Sequence, residues 1–233
     1  MKKSTFYTAV GHFRRKTDAN GQSYPVILVN QEEYLVDIQE MSVWTILTWR
    51  LLTYQQAEEQ YNWFTGAWLT NPTRTFESCL KRLEVRGLVA SGTGCTDFEA
   101  LYDLLGGLYV VPLSESLPLR LAAFLKMALR GAPLAAAKEL FQRDKPSPLE
   151  ARVMALSRQA TLSTAELVKC AEVDVQDVSS GEKIMEALYN DDHTTSDNIH
   201  WEMLQSDHRA PITQAVANLY LRKQIILERV PIS

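Results

Sequence analysis

The sequence predicts an α+β protein in which helices predominate, and three observations lead to this class. Near the amino terminus, TFYTAVGHF and YPVILV carry the alternating and β-branched residues that are typical of strands. From Gln39 onward, apolar residues recur at helical spacing. The chain has 233 residues, of which 46% are hydrophobic, enough for one large or two small domains with a substantial core.

The amino-terminal strands are predicted to form a β-meander. Asn20-Gly21 lies between the first two strand segments and is a strong signal for a tight turn. NQEEYLVDI continues the pattern, with Tyr34 and Val36 on one face and Leu35 on the other. We therefore expect an antiparallel meander before the first helix.

Three helices and two strands are predicted to follow the meander. Trp44 and Leu47 belong to the apolar face of the first helix, and Thr53 with Gln56 has capping-box spacing for the second. Asn71 is a candidate cap for the third helix, because Pro72 suits a first helical position. The predicted bounds are 39–51, 54–61 and 72–86 for the helices, and 88–91 and 108–113 for the strands.

LEVRGLV, residues 83–89, marks the junction between the third helix and the next strand. It resembles the junction in MarR-like and PadR-like winged-helix DNA-binding domains at which the recognition helix ends and the first wing strand begins. The resemblance covers roughly residues 39–113. Gly87 can adopt the left-handed conformation that ends a helix, which agrees with this junction. The resemblance implies a winged helix-turn-helix and the function of a DNA-binding transcriptional regulator.

The segment between the two predicted wing strands differs from a short wing. TDFEALYDLLGG is a predicted helical insertion that carries Asp97, Glu99 and Asp103. Phosphate would repel an acidic wing, so the third helix is the expected site of DNA contact.

We predict three parts along the chain. Residues 1–113 form the winged-helix-like domain with its amino-terminal strands, 114–146 a helical connector, and 147–233 a helical carboxy-terminal domain. In the last of these, a helix is expected at 211–223 and a strand at 225–229, because β-branched isoleucines follow a helical pattern there.

The carboxy-terminal domain repeats part of the LEVRGLV junction, which suggests that it too is winged-helix-like. The matching residues lie 136 positions apart: Leu83, Val85, Arg86 and Val89 correspond to Leu219, Leu221, Arg222 and Ile225.

The predicted nucleic-acid-binding residues are Arg74, Lys81, Arg82 and Arg86 of the third helix. Arginine and lysine on a free helix face can reach phosphates and guanine edges while the opposite face stays packed. The alternative is an ordinary solvated face in which Glu77 and Lys81 form an i,i+4 pair.

Charge restricts where DNA could bind. The formal net charge is −4, so the whole chain has no general attraction for polyanions. Residues 1–90 carry +1 and residues 91–233 carry −5. We therefore expect DNA contact from a local patch in the first domain, and dimerisation or partner contact, with a homodimer as the expected assembly, from the rest.

Several other features receive a prediction. HFRRK, residues 12–16, is either a basic arm or an exposed strand end. His193, His200 and His208 lie among aspartates but match no metal-binding signature, so no metal is predicted. The tryptophans at 44, 49, 63 and 68 either fill the core or line a ligand pocket or dimer interface.

The sequence contains no nucleophile–base arrangement and no phosphate-binding glycine loop, so neither an enzyme nor a cofactor is predicted. Three widely spaced cysteines favour reduced thiols and a cytoplasmic location, and no apolar run is long enough to span a membrane. The alternative function is a protein–protein scaffold built from tandem winged-helix domains. A continuous positive surface on the third helix favours DNA, and an acidic or apolar one favours the scaffold.

Overall fold

The computed structural model describes residues 3–68, 73–113, 146–191 and 193–229, except for the side chains of residues 67 and 68. The α+β class is confirmed. The helices are α1 Ile38–Leu47, α2 Tyr54–Trp68, α3 Phe76–Val85, α4 Asp97–Leu105, α5 Pro148–Gln159, α6 Thr164–Glu172, α7 Gly181–Leu188, α8 Ile199–Glu202 and α9 Arg209–Leu221, with a 3-10 turn at Met203–Gln205. The strands are β1 Ser4–Ala9, β2 His12–Thr17, β3 Ser23–Val29, β4 Glu32–Leu35, β5 Leu52–Thr53, β6 Val89–Gly94, β7 Tyr109–Pro112, β8 Leu162–Ser163 and β9 Ile225–Glu228.

The amino-terminal unit is built around an antiparallel sheet with the order β5-β1-β6. β1 is the central strand, with Tyr7 opposite Leu52 on one side and Ala9 opposite Val89 on the other. α1 packs against α2 and α3, and α4 covers β6 and β1. The first strand of the chain is therefore not part of the meander.

The carboxy-terminal unit has a sheet with the same design, in the order β8-β7-β9. β7 is central, with Val110 opposite Leu162 and Pro112 opposite Ile225. Each central strand precedes its unit's helices in the chain and pairs with two later strands. β1 pairs with β5 and β6, which follow α1 and α3, and β7 pairs with β8 and β9, which follow α5 and α9. The sequence places β7 in the first domain as a wing strand, and this prediction is wrong because β7 pairs with β8 and β9 in the second sheet.

The two units match position by position. Both first helices begin with a capping box, Asp37 with Glu40 and Ser147 with Glu150, at an offset of 110 residues. The third helices and last strands match at the offset of 136 that the sequence suggested. The offset grows from 110 to 136 because the second unit has 26 more residues between the helices equivalent to α2 and α3. The fold is therefore internally duplicated.

A second capping pair supports this duplication. Thr53 and Gln56 exchange hydrogen bonds at the start of α2, as predicted, and Ser163 and Glu166 do so at the start of α6, again 110 positions later.

The meander consists of β2, β3 and β4, inserted between β1 and α1. Its first turn lies at Asn20-Gly21, as predicted, and the Asp18 carboxylate accepts hydrogen bonds from the backbone N–H groups of Asn20 and Gln22. β2 is exposed along its whole length, whereas the second half of β3 is buried. This sheet therefore joins the core through β3, and Tyr34 of β4 packs against the same core.

Helix bounds differ from prediction at three places. α1 ends at Leu47 because Thr48 is extended and Trp49 has φ 53°. α2 continues to Trp68, since buried Ala57, Tyr61 and Thr65 repeat every fourth residue along one face. α3 begins after Thr75, whose side chain caps it, while the predicted cap lies outside the described residues.

The predicted connector, 114–146, lies outside the described residues except for its last position. Buried side chains of both units form one contiguous core, which includes Leu88, Val110 and Leu219. Among the helices described, none has the length and apolarity to cross a membrane.

Candidate nucleic-acid interface

α3 presents one packed face and one free face. Phe76, Leu80 and Leu83 are buried against the neighbouring helices, which explains the amphipathic spacing of this segment. The opposite side, which includes Lys81 and Arg82, is exposed to solvent. The predicted contact helix thus has an accessible surface.

Three of the four predicted basic residues converge on one buried carboxylate. Arg82 Nε donates to Glu40 Oε1 at 2.5 Å and Arg86 Nη1 donates to Glu40 Oε2 at 3.2 Å. Arg74 Nη1 lies 3.5 Å from the same carboxylate and also pairs with Asp37. Only 2% of the Glu40 side chain is exposed. In the sequence, Glu40 is marked only by its capping-box spacing with Asp37, which does not indicate its contacts with the arginines.

Arg86 has a structural role in this arrangement. Its second terminal nitrogen donates to the Leu35 carbonyl oxygen, and its guanidinium lies 5.9 Å from the centre of the Tyr34 ring. The second unit repeats the ion pair, because Arg222 Nη1 donates to Glu150 Oε2 at 3.0 Å. In both units, therefore, this arginine ties the end of the third helix to the start of the first.

Arg82 differs from its counterpart in the second unit. There, the equivalent residue is Asn218, whose side-chain amide donates to Glu150 Oε1 at 3.1 Å. Arg82 makes the same contact through Nε alone, and its terminal nitrogens have no hydrogen-bond partner among the described residues. Its side chain remains 52% exposed. The contacts within the described residues therefore use only one of the three guanidinium nitrogens.

Lys81 is a second exposed cation that the other unit lacks. It forms no ion pair within the described ranges, so the predicted pair with Glu77 does not form there. The equivalent residue in α9 is Ala217, which is only 2% exposed. Accessible cations at these two positions are therefore specific to the first unit.

The charge of this face is mixed. Glu77 is exposed near Lys81, and Val85 on the same helix is 82% exposed. Leu35, whose carbonyl oxygen binds Arg86, and Ile38, which follows Asp37, also have largely exposed side chains. The face is cationic at Lys81 and Arg82 but not continuously positive.

Comparison with known proteins gives no match. No family model, curated protein or solved structure matches this chain. The internal duplication described above is thus the comparison from which functional differences between residues can be inferred.

The basic run and the histidines, which were the other candidate residues, make contacts within the fold. The basic run 12–16 forms β2, where Lys16 pairs with Glu33 at 2.5 Å. His200 stacks on Tyr102 with ring centres 4.8 Å apart, and burial lowers the pKa of its imidazole. In the part of the chain that is described, no three His, Cys, Asp or Glu residues form a potential metal site.

The cysteines and tryptophans have different environments. Cys79 and Cys170 are buried, Cys95 is exposed, and all three are free thiols. Burial raises the pKa of Cys170 to about 12, so it remains a thiol at neutral pH. Trp44 is buried in the core, Trp63 is exposed, and Trp49 is half-buried beside a cavity.

Proposed function

We propose that this chain is a cytoplasmic, non-enzymatic DNA-binding transcriptional regulator of the winged-helix class, with α3 as its recognition helix. The element order supports this proposal: α1, β5, α2, α3 and β6 follow one another as in a winged-helix domain. The second strand of a wing would pair with β6, but β1 occupies that place in the sheet and β7 belongs to the other sheet. The proposal therefore assigns DNA contact to α3 and not to a wing.

The observation that carries the proposal is the difference between α3 and α9. The Glu–Arg ion pair at the ends of the helices is common to both units and explains Arg86 and Arg222. Asn218 and Ala217 are sufficient for packing in the second unit, whereas the first has Arg82 and Lys81 at these positions. Two exposed cations that packing does not require are available to a polyanion.

The geometry indicates how each cation would act. Glu40 fixes Arg82 through Nε, so the terminal fork is oriented in advance for two parallel hydrogen bonds to a phosphate or a guanine edge. Lys81 supplies a mobile point charge that suits a phosphate. Arg74 pairs with Asp37 and Glu40 through Nη1, and its Nη2, which has no hydrogen-bond partner within the described ranges, would bind a second phosphate. Arg86 positions the helix and makes at most a contact to the DNA backbone.

A homodimer is part of the proposal. A single small module rarely provides useful DNA specificity, and two recognition helices would read two half-sites. The acidic second unit, whose α9 lacks the two cations, is assigned to dimer or partner contact.

Titration of the full chain against mixed duplex DNA at two salt concentrations tests the proposal. We expect Arg82→Gln and Lys81→Gln each to weaken binding, by about tenfold for Arg82, and to reduce the salt slope by about 1 for each phosphate that is no longer neutralised. Arg158→Gln is the matched control, since it removes an exposed charge from α5 in the other unit and should leave binding unchanged. Equal affinity in all three variants, or no binding by the parent protein, would refute the DNA assignment.

The scaffold remains a second candidate because of one observation. Leu35, Ile38 and Val85 are exposed apolar side chains around the Glu40 ion pairs. A second copy of this chain could cover them, since the mixed charges beside them allow self-complementary pairing. Sedimentation velocity of the parent and of Val85→Glu tests this. Self-association that the variant abolishes, together with absent DNA binding, would support the scaffold, and equal association in both proteins would exclude this surface.

A further inference from the structure

β2 is an edge strand whose outer side has no partner strand. It is the first strand of the sheet β2-β3-β4, and among the described strands it pairs with β3 alone. All six of its residues, His12–Thr17, are exposed. The strand contains no proline, and its register with β3 runs without a bulge from end to end. Such a strand offers unpaired backbone groups to another extended chain.

The register determines which backbone groups of β2 point outward. The Asp18 N–H donates to the Gln22 carbonyl oxygen at 2.9 Å, so these two residues form a hydrogen-bonded pair, and such pairs alternate along an antiparallel ladder. Arg15 then belongs to a non-hydrogen-bonded pair. Its opposite residue is Pro25, which has no N–H to donate and therefore fits this position. The N–H and C=O groups of Arg15 and of Thr17, two residues later, face the open edge.

The other edge strands of the described sheets are covered or short. On β4 the Leu35 carbonyl oxygen accepts a hydrogen bond from Arg86, and on β6 the Thr93 N–H donates to the Asp103 carboxylate at 2.8 Å. On β9 the carbonyl oxygen of the third residue accepts a hydrogen bond from the Gly11 N–H at 2.7 Å. β5 and β8 have two residues each. Among the described edges, β2 is therefore the long strand that the rest of the fold leaves open.

The side chains of β2 are basic on both faces of the sheet. Arg15 lies on one face and Arg14 and Lys16 lie on the other, because successive residues of a strand alternate. Lys16 pairs with Glu33, whereas neither arginine forms an ion pair within the described ranges. A second copy of β2 would place like charges opposite each other, which destabilises a strand pair. The open edge therefore repels its own copy but would attract an acidic strand.

The distribution of the basic residues over two faces favours a peptide over a nucleic acid. A duplex that lay against one face of the sheet would meet Arg15, or Arg14 with Lys16, but not all three. An extended peptide that continues the sheet places its own side chains alternately on the same two faces. Acidic residues at adjacent positions of such a peptide would therefore meet the basic side chains on both faces.

We propose that the open edge of β2 is a docking site for an extended, acidic segment of a partner protein, which adds to the meander as a further strand. The outward backbone groups of Arg15 and Thr17 provide the hydrogen bonds, and the basic side chains select carboxylates. The site lies on the meander, so it is separate from DNA binding by α3 and does not rest on it.

Fluorescence anisotropy of labelled peptides with the full chain at low salt tests this chemistry. The acidic peptide has valine at its centre, two glutamates on each side and threonine at both ends, and the basic peptide has lysines in place of the glutamates. A third peptide is the acidic one with every internal amide N-methylated, which keeps the charge and removes the backbone donors. We expect the acidic peptide to bind at least about tenfold more tightly than either of the others, because hydrogen bonds and ion pairs both contribute. Equal binding of the N-methylated or the basic peptide, or no binding of the acidic one, would overturn the proposal.

Two substitutions of one residue separate the backbone from the charge. Arg15→Gln removes the charge and keeps the N–H, whereas Arg15→Pro removes both. We expect Arg15→Gln to weaken binding of the acidic peptide about threefold and Arg15→Pro at least about tenfold. Lys81→Gln on α3 is the control and should bind the peptide as the parent protein does. Equal affinities of the two Arg15 variants would show that the backbone edge is not used and would overturn the proposal.

Urea unfolding and DNA titration of the same variants complete the test. Proline is tolerated at an edge position whose N–H faces solvent, so Arg15→Pro should unfold at the same midpoint as Arg15→Gln. A much lower midpoint would mean that the Arg15 N–H is paired with β3, which contradicts the outward orientation. Arg15→Gln should bind duplex DNA as the parent does. A loss of DNA affinity as large as the loss of peptide affinity would assign β2 to nucleic acid and overturn the proposal.

Discussion

Replacing Glu40 by glutamine should destabilise the protein, because this one carboxylate serves several arginines. Arg82 and Arg86 donate to it at 2.5 and 3.2 Å, and Arg74 lies at 3.5 Å. Glutamine has nearly the same volume and can still accept the backbone hydrogen bond from Asp37, so the helix cap survives. Its amide group, however, would face a guanidinium.

The magnitude follows from opposing contributions. The charge-assisted hydrogen bond from the less exposed Arg86 is worth about 1.5–3 kcal/mol, and the bond from Arg82 adds to it. Against these, the buried carboxylate carries a desolvation penalty that glutamine avoids. The arginines are partly exposed, so water replaces some of the hydrogen bonds that they would no longer make. We therefore expect a net decrease of about 2 kcal/mol in the free energy of unfolding.

Urea denaturation followed by tryptophan fluorescence measures this decrease, since Trp44 is buried on the same helix as Glu40. With an ordinary dependence on denaturant, the midpoint should fall by about 1 M. Glu33→Gln is the matched control: it breaks the exposed pair with Lys16 and should leave the urea midpoint almost unchanged. If both variants are destabilised by the same small amount, Glu40 is not the anchor described above.

Two further predictions concern α4 and its surroundings. A β-carbon on Gly92 would lie 2.1 Å from the backbone nitrogen of Leu104, so Gly92→Ala should lower the free energy of unfolding in urea by about 3 kcal/mol. Gly107→Ala is the control and should change this free energy little, because its β-carbon meets nothing within 4 Å among the described residues. Equal decreases in the two variants would show that α4 does not lie this close to β6. Burial lowers the pKa of His200 below its ordinary value of 6.5, so the unfolded chain binds this proton more tightly than the folded protein does. The stability present above about pH 6.5 should therefore fall as the pH drops through the folded pKa, and urea midpoints measured between about pH 8 and pH 5 should fall less steeply for His200→Gln; parallel curves would refute this.

The sequence predicted local elements better than their pairing. Periodicity and capping residues located α1, α3, β6 and β9 to within a few positions, because these signals act over one or two helical turns. Strand partners depend on residues distant in the chain, and nothing local in β1 shows that it pairs with β5 and β6 and not with the meander.

The candidate site was predicted as residue types but not as a network. The spacing of α3 indicated that Lys81 and Arg82 would be exposed, and both are. The same spacing could not show that Glu40, more than thirty residues earlier, would bind three of the arginines. Arg86 and Arg82 have the same charge in the sequence. Only the hydrogen bonds of their individual nitrogen atoms show that Arg86 is used in packing, whereas the terminal nitrogens of Arg82 make no hydrogen bond among the described residues.

The central position of β1 has a consequence for the order of events during synthesis. β1 leaves the ribosome before its partners β5 and β6, which are complete only at residues 53 and 94. Because synthesis adds about 5–20 residues per second, both backbone edges of β1 stay unpaired for several seconds. Unpaired edges favour association with other exposed strands. β7 waits longer for β9, which ends at residue 228. Each half of the nascent chain is therefore expected to complete its sheet only after its last strand has emerged.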